Sequence, residues 1–85
     1  MTSAEQAVRK YIATEIMSGE DEASLDLDYP LLDTGVIDSL DLQKLVVFLE
    51  TQFDVTVDDD ELVPENFHSI RAIGSMVERL AKRPR

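Results

Sequence analysis

Apolar residues return at three- and four-residue steps in three separate stretches of this chain, and that repeat confines it to helices packed on one another. In the first stretch Ala4, Ala7, Val8, Tyr11, Ile12 and Ile16 form one stripe, which predicts a helix over about residues 4–18. Ser3 followed by Gln6 fits a capping box at its start, and Gly19 is the expected stop. The second helix is expected over 39–53. The last carries Ile70, Ile73, Val77 and Leu80 on one face and is expected over 69–82, with Ser69 as its cap. Gly74 inside it costs about 1 kcal/mol relative to alanine. Pro64 to Phe67 reads as a single short helical turn with proline in first place.

The connections decide what kind of helical protein this is. Residues 19–38 contain Gly19, Pro30 and Gly35, but also Leu25, Leu27, Leu31, Leu32, Val36 and Ile37. A loop this long carries function or is pinned by its own apolar residues, and this one is read as ordered and packed over the helices. Asp54 to Asp58 alternates like a strand, yet it is too short to build a sheet and runs into more acid, so it is read as extended loop. The tail from Lys82 to Arg85 is expected to fray. The expected fold is therefore all-α: a small bundle of three main helices and one short helix with a long first loop, forming a single domain over 1–85.

Composition removes several functions. There is no cysteine, so neither a disulfide framework nor a thiolate site is available, and one histidine, His68, rules out a His-rich metal cluster. No stretch approaches the roughly 20 apolar residues that cross a bilayer, and charges occupy the N-terminus where a signal peptide needs an apolar run. A cytoplasmic protein with no membrane association is the expectation. The net charge of −10 is concentrated. Residues 20–61 hold 14 acids and one base, Lys44, for −13, whereas the flanks hold 4 acids and 7 bases, for +3. Such a middle section repels phosphate backbones, so nucleic acid is not an expected partner, and it steers basic protein surfaces toward itself. Acid that merely keeps a small domain soluble is the plainer alternative.

Projected at about 100° per residue from Ser39, the second helix places Leu42, Leu45, Val46, Leu49 and Phe53 in one arc, the core face. Leu40 and Val47 fall on the opposite side, among Gln43, Lys44 and Thr51. Two aliphatic side chains there are either a ridge for a partner or residues covered by the long loop, with Phe48 at the boundary. Asp38 and Ser39 are both favourable at a helix start, and N–H groups there receive anions. Taken alone, Ser39 reads as an ordinary N-cap.

The run Gly35-Val-Ile-Asp38-Ser39-Leu40, within the pattern Leu32-x-x-Gly35-x-x-Asp38-Ser39-Leu40 and followed by an amphipathic helix, resembles the phosphopantetheine-attachment motif of acyl and peptidyl carrier proteins. The similarity extends through the short third helix and Asn66-Phe67-His68-Ser69-Ile70 into the last helix. It implies a free-standing, monomeric carrier whose Ser39 receives 4'-phosphopantetheine from coenzyme A through a phosphopantetheinyl transferase, with Asp38 helping to present the site. Cargo then rides as a thioester on the arm's own thiol. The resemblance further implies that Leu40 and Val47 make apolar partner contacts and that Asp41 and Glu50 meet basic enzyme surfaces. The implied partners are the transferase, an acyl- or aminoacyl-loading adenylating enzyme and downstream acyl-processing enzymes. Lys44 stands where many fatty-acid carriers have an acid, and Thr51 holds another commonly acidic position. Both set the chain apart from carriers met by standard fatty-acid enzymes, and Lys44 with the discrete form tilts the cargo toward aminoacyl or specialised-metabolite groups.

Three other readings were weighed. Asp54, Thr56, Asp58, Asp60 and Glu65 fall at positions 1, 3, 5, 7 and 12 of a calcium loop, but Asp59 stands where the sharp turn needs glycine and Pro64 precedes the last ligand. A helical adaptor would share the ridge and leave Ser39 unmodified. An enzyme fits least, since His68 has no evident nucleophile partner and the chain offers little room for a water-excluding pocket.

Overall fold

Thr2 starts the first helix with its own side chain. Its extended backbone lets the hydroxyl accept the Glu5 N–H (3.0 Å) while Glu5 Oε1 accepts the Thr2 N–H (2.9 Å). The capping box therefore sits one residue earlier than the Ser3–Gln6 expectation, because a carboxylate binds the freed N–H groups more strongly than an amide. The structure, a computed structural model, describes residues 1–19 and 21–82. Helix α1 spans Ser3–Tyr11 and continues as a π-helical turn over Ile12–Ile16, closed by the Met17 N–H on the Ile12 carbonyl at 2.8 Å. Left-handed backbone at Ser18 and Gly19 then ends it, two residues short of the expected limit.

Among its described residues the connection that follows holds one 3-10 turn, Glu22–Ser24, and is otherwise irregular. Leu25, Leu31 and Ile37 are buried, and Leu27, Leu32 and Val36 pack beside them, as expected for a pinned loop. Backbone bonds tie it to the far end of the chain: the Leu31 N–H donates to the His68 carbonyl at 2.8 Å and the Arg71 N–H to the Leu27 carbonyl at 3.0 Å. The Arg71 guanidinium adds an exposed ion pair with Asp28 at 2.8 Å.

Helix α2 spans Ser39–Phe53, the limits expected from its periodicity, and ends at Asp54 in left-handed conformation. Leu45 and Leu49 are fully buried while Leu42, Val46 and Phe53 pack at the core's edge. Val55 and Val57 then run extended into the core, and a 3-10 turn, Asp59–Glu61, that the sequence reading did not anticipate follows. It is held by Glu61, whose buried carboxylate takes both Arg79 guanidinium nitrogens at 2.8 and 2.9 Å. Helix α3, Pro64–Phe67, drops Phe67 into the core.

Helix α4, Ile70–Ala81, starts from Ser69, whose hydroxyl accepts the Ala72 N–H at 3.1 Å. Gly74 has a use that offsets its helix cost: a Cβ there would come within 2.8 Å of Glu5 Cγ, so its absence lets α1 lie close against α4. The four helices and the pinned loop thus share one core, and no strand occurs among the described residues. No helix among them is long and apolar enough to cross a membrane. The expected fraying beyond Lys82 lies outside the described residues.

Candidate functional site

Asp38, not Ser39, caps α2. Its Oδ1 accepts the Asp41 N–H at 2.8 Å and its carbonyl accepts the Leu42 N–H at 2.9 Å. Ser39 is the first residue inside the helix, exposed, and its hydroxyl makes no hydrogen bond among the described residues. The reading of Ser39 as an ordinary N-cap therefore fails: the carboxylate beside it already does that work. The loop explains the presentation. Gly35, at φ +76, turns the chain with its N–H on the Leu32 carbonyl (3.1 Å), and Ile37 buries its side chain while its N–H bonds the Leu31 carbonyl (3.3 Å). With residue 37 anchored inward, Asp38 and Ser39 emerge at the surface.

An open groove of about 320 Å³ begins at this hydroxyl, lined by Ser39, Leu42, Gln43, Val46 and Leu62. Leu42 and Leu62 also line a smaller hollow of about 140 Å³ that reaches Leu32, Val63, Pro64 and Phe67. Leu62, 42% exposed, is the residue that sequence reasoning missed. Its signal was an aliphatic side chain belonging to no helical stripe, directly after the acids 58–61.

Leu40 and Val47 are 58% and 61% exposed, so the long loop does not cover them, and Gln43, Lys44 and Thr51 are exposed around them. Phe48 belongs to the inner side: its ring stacks on Tyr11 at 4.3 Å and meets Phe53 edge-on at 6.4 Å. The two acids assigned to enzyme surfaces differ. Asp41 is half-buried on the α1 side, where its charge, after burial and Glu15, helps to raise the Tyr11 phenol above its ordinary 10.0. Glu50 is half-buried too, and its Oε2 accepts the Val57 N–H at 3.0 Å, so one of its oxygens is engaged inside the domain.

The residues of the calcium-loop pattern are dispersed among other tasks. Asp54 is the left-handed end of α2, and Asp58 precedes the 3-10 turn. No group of three side chains able to hold a metal gathers among the described residues. His68 is exposed, and what it contributes to the fold is its backbone carbonyl.

The family described as "Phosphopantetheine attachment site" matches residues 6–77. The chain belongs to this carrier family. Among its relatives is a probable acyl carrier protein, PigG, of Serratia sp., 31% identical over 80 residues that cover 94% of this chain and 91% of that protein. A D-alanyl carrier protein of Lactococcus lactis subsp. cremoris is 34% identical over 64 residues, 75% of this chain and 81% of that one. The solved structure titled "Structure of KstB-PCP(apo)" superposes with a TM-score of 0.81 at 36% identity, covering 100% of this chain and 92% of that one. The protein is thus a carrier bearing acyl or aminoacyl groups on covalently attached 4'-phosphopantetheine. The site fits such a group: an unbonded, exposed hydroxyl opens onto an apolar groove, with no side chain to be displaced from it.

Proposed function

We propose that Ser39 is the residue that bears the arm, that Asp38 is its positioning residue, and that Leu40, Asp41 and Val47, with the rim of Glu50, form the face met by partner enzymes. The observation that carries this reading is the division of labour at the start of α2. Because Asp38 satisfies the helix end, the Ser39 oxygen is left without a hydrogen bond at an exposed position. The arm, once attached, supplies a thiol on which cargo is held as a thioester. Ser39 gives it a fixed root at the end of a rigid helix, and the groove past Leu42, Val46 and Leu62 offers an apolar resting surface beside that root.

In this reading the chain is a substrate of enzymes and catalyses nothing itself. A phosphopantetheinyl transferase modifies it, an adenylating enzyme loads it, and downstream acyl-processing enzymes take the cargo. Repeated weak docking raises the local concentration of cargo at each active site, and the acidic section steers that docking. Aminoacyl cargo is favoured over long fatty acyl by the names of the D-alanyl carrier and peptidyl carrier relatives and by Lys44 on the contact ridge.

The experiment is intact mass after incubation with coenzyme A, magnesium and a broad-specificity phosphopantetheinyl transferase. The expected result is the addition of one phosphopantetheinyl group, absent in Ser39→Ala, with both proteins giving the same far-UV circular dichroism. An unmodified wild type overturns the proposal in favour of the adaptor reading. Modification that persists in Ser39→Ala overturns the assignment of the residue.

A further inference from the structure

Lys44 is the one base among residues 20–61, and it has no ion-pair partner among the described residues. An acid four residues away or the negative end of the helix would stabilise a helix lysine modestly. Here the residues four before and four after are Leu40 and Phe48, and position 44 lies well inside α2, far from its C-terminal turn. Asp41, three residues before, is half-buried on the α1 side, where its charge bears on Tyr11. The ion pairs of the structure join Arg71 to Asp28 and Arg79 to Glu61, and Lys44 has no such partner among the described residues. It stands exposed between Leu40, one turn before, and Val47, one turn after, the two most exposed aliphatic side chains of α2. Leu40, Lys44 and Val47 follow the i, i+4, i+7 spacing of a single ridge.

An ammonium enclosed with two apolar contacts and given no counter-ion is strongly unfavourable. A surface that covers Leu40 and Val47 together meets the stem of Lys44 beside them, and where it encloses the ammonium it has to supply a counter-ion. Resting on the carrier reading above, we infer that the enzyme loading the arm grips α2 with apolar sockets arranged around a carboxylate that pairs with Lys44, inside a wider basic field that answers the acidic section. An all-basic contact face is rejected at this central position, so Lys44 is a specificity-determining residue, selecting among enzymes that would otherwise accept the same serine and the same aliphatic pair.

The test uses the full chain, converted to the armed form. The probes are adenylating ligases that load separate aminoacyl carriers, one specific for D-alanine among them, and the readout is kcat/KM for loading. With each ligase that loads the wild type, Lys44→Glu is expected to lose about tenfold, Lys44→Met less, and Lys44→Arg almost nothing. The gap between wild type and Lys44→Glu narrows between about 0.05 M and about 0.5 M salt. Lys10→Glu makes an equal change in net charge on α1 and is expected to alter loading by less than about twofold. Reversing the ligase's facing acid to lysine restores Lys44→Glu. Loading of Lys44→Glu as fast as wild type, or an equal loss in Lys10→Glu, overturns the inference. Failure to take the arm at all is a different result and overturns the carrier assignment of Ser39 instead.

Discussion

Helix α2 carries leucine and valine on both of its sides, and the two sets meet opposite ends. Leu45 is fully buried and Leu40, five residues earlier, is 58% exposed; Val46 packs at the edge of the core and its neighbour Val47 is 61% exposed. The residue types do not distinguish these positions. What distinguishes them is angle around the helix and what lies across from it: α4, Tyr11 of α1 and the core face the inner side, and among the described residues nothing covers Leu40 and Val47 on the outer one. The inner side holds the domain together, and the outer side leaves Leu40 and Val47 in solvent, where the proposed reading puts a partner.

The contrast is broken most sharply at Leu45. Leu45→Ala is expected to cost about 2–5 kcal/mol of unfolding free energy, whereas Leu40→Ala stays within about 0.5 kcal/mol of wild type, both read by urea denaturation. Glu50 asks which side it serves. Glu50→Ala withdraws the acceptor from the buried Val57 N–H, and about 1–3 kcal/mol is the expected loss, where a purely external acid would give none. Phe48, on the inner side, should lose about 0.5–1.5 kcal/mol as Phe48→Leu through its stacking on Tyr11, with the apolar volume largely kept. Tyr11 adds a pH dependence there. Its folded-state value is raised above 10.0, so the neutral phenol is favoured in the fold. That contribution is complete below the ordinary value and is lost as pH climbs through the raised one; Tyr11→Phe should flatten the alkaline fall in melting temperature. The smallest change in stability belongs to Val47→Arg, within about 0.5 kcal/mol, while loading by the adenylating enzyme slows. A large loss of helical signal in Val47→Arg would show that the outer side is part of the core.

Much of this was legible because α2 is a straight register of inner and outer positions. Its limits at Ser39 and Phe53, the placing of Leu40 and Val47 opposite the core arc and the pinning of the long loop followed from periodicity and from where the aliphatic residues fall, whereas only the structure shows that the loop leaves Leu40 and Val47 uncovered. The rest depended on contacts that periodicity does not encode. Thr2–Glu5 and Ser3–Gln6 both satisfy the same capping pattern, and only the charge-assisted geometry chose between them. The π-helical turn at Ile12–Ile16 has no signature in spacing, since an extra residue in a turn leaves the apolar stripe nearly intact. The resemblance assigned Glu50 to enzyme surfaces, and it is the left-handed turn at Asp54 that brings the Val57 N–H back to its carboxylate. Ser39 was ambiguous for a related reason: two capping residues stand side by side, and only the observed bond to Asp38 frees its neighbour.

The serine and the outer valine lie on one unbroken helix, eight residues apart, which at 1.5 Å per residue is a span of about 12 Å. A continuous α-helix fixes that length. If Ser39 bears the arm and Val47 meets the partner, as proposed, each visiting enzyme works to the same gauge between the surface it clasps and the atom from which the arm hangs. Differences in how deep their catalytic centres lie have to be absorbed by the flexible arm and by their own tunnels, never by the carrier.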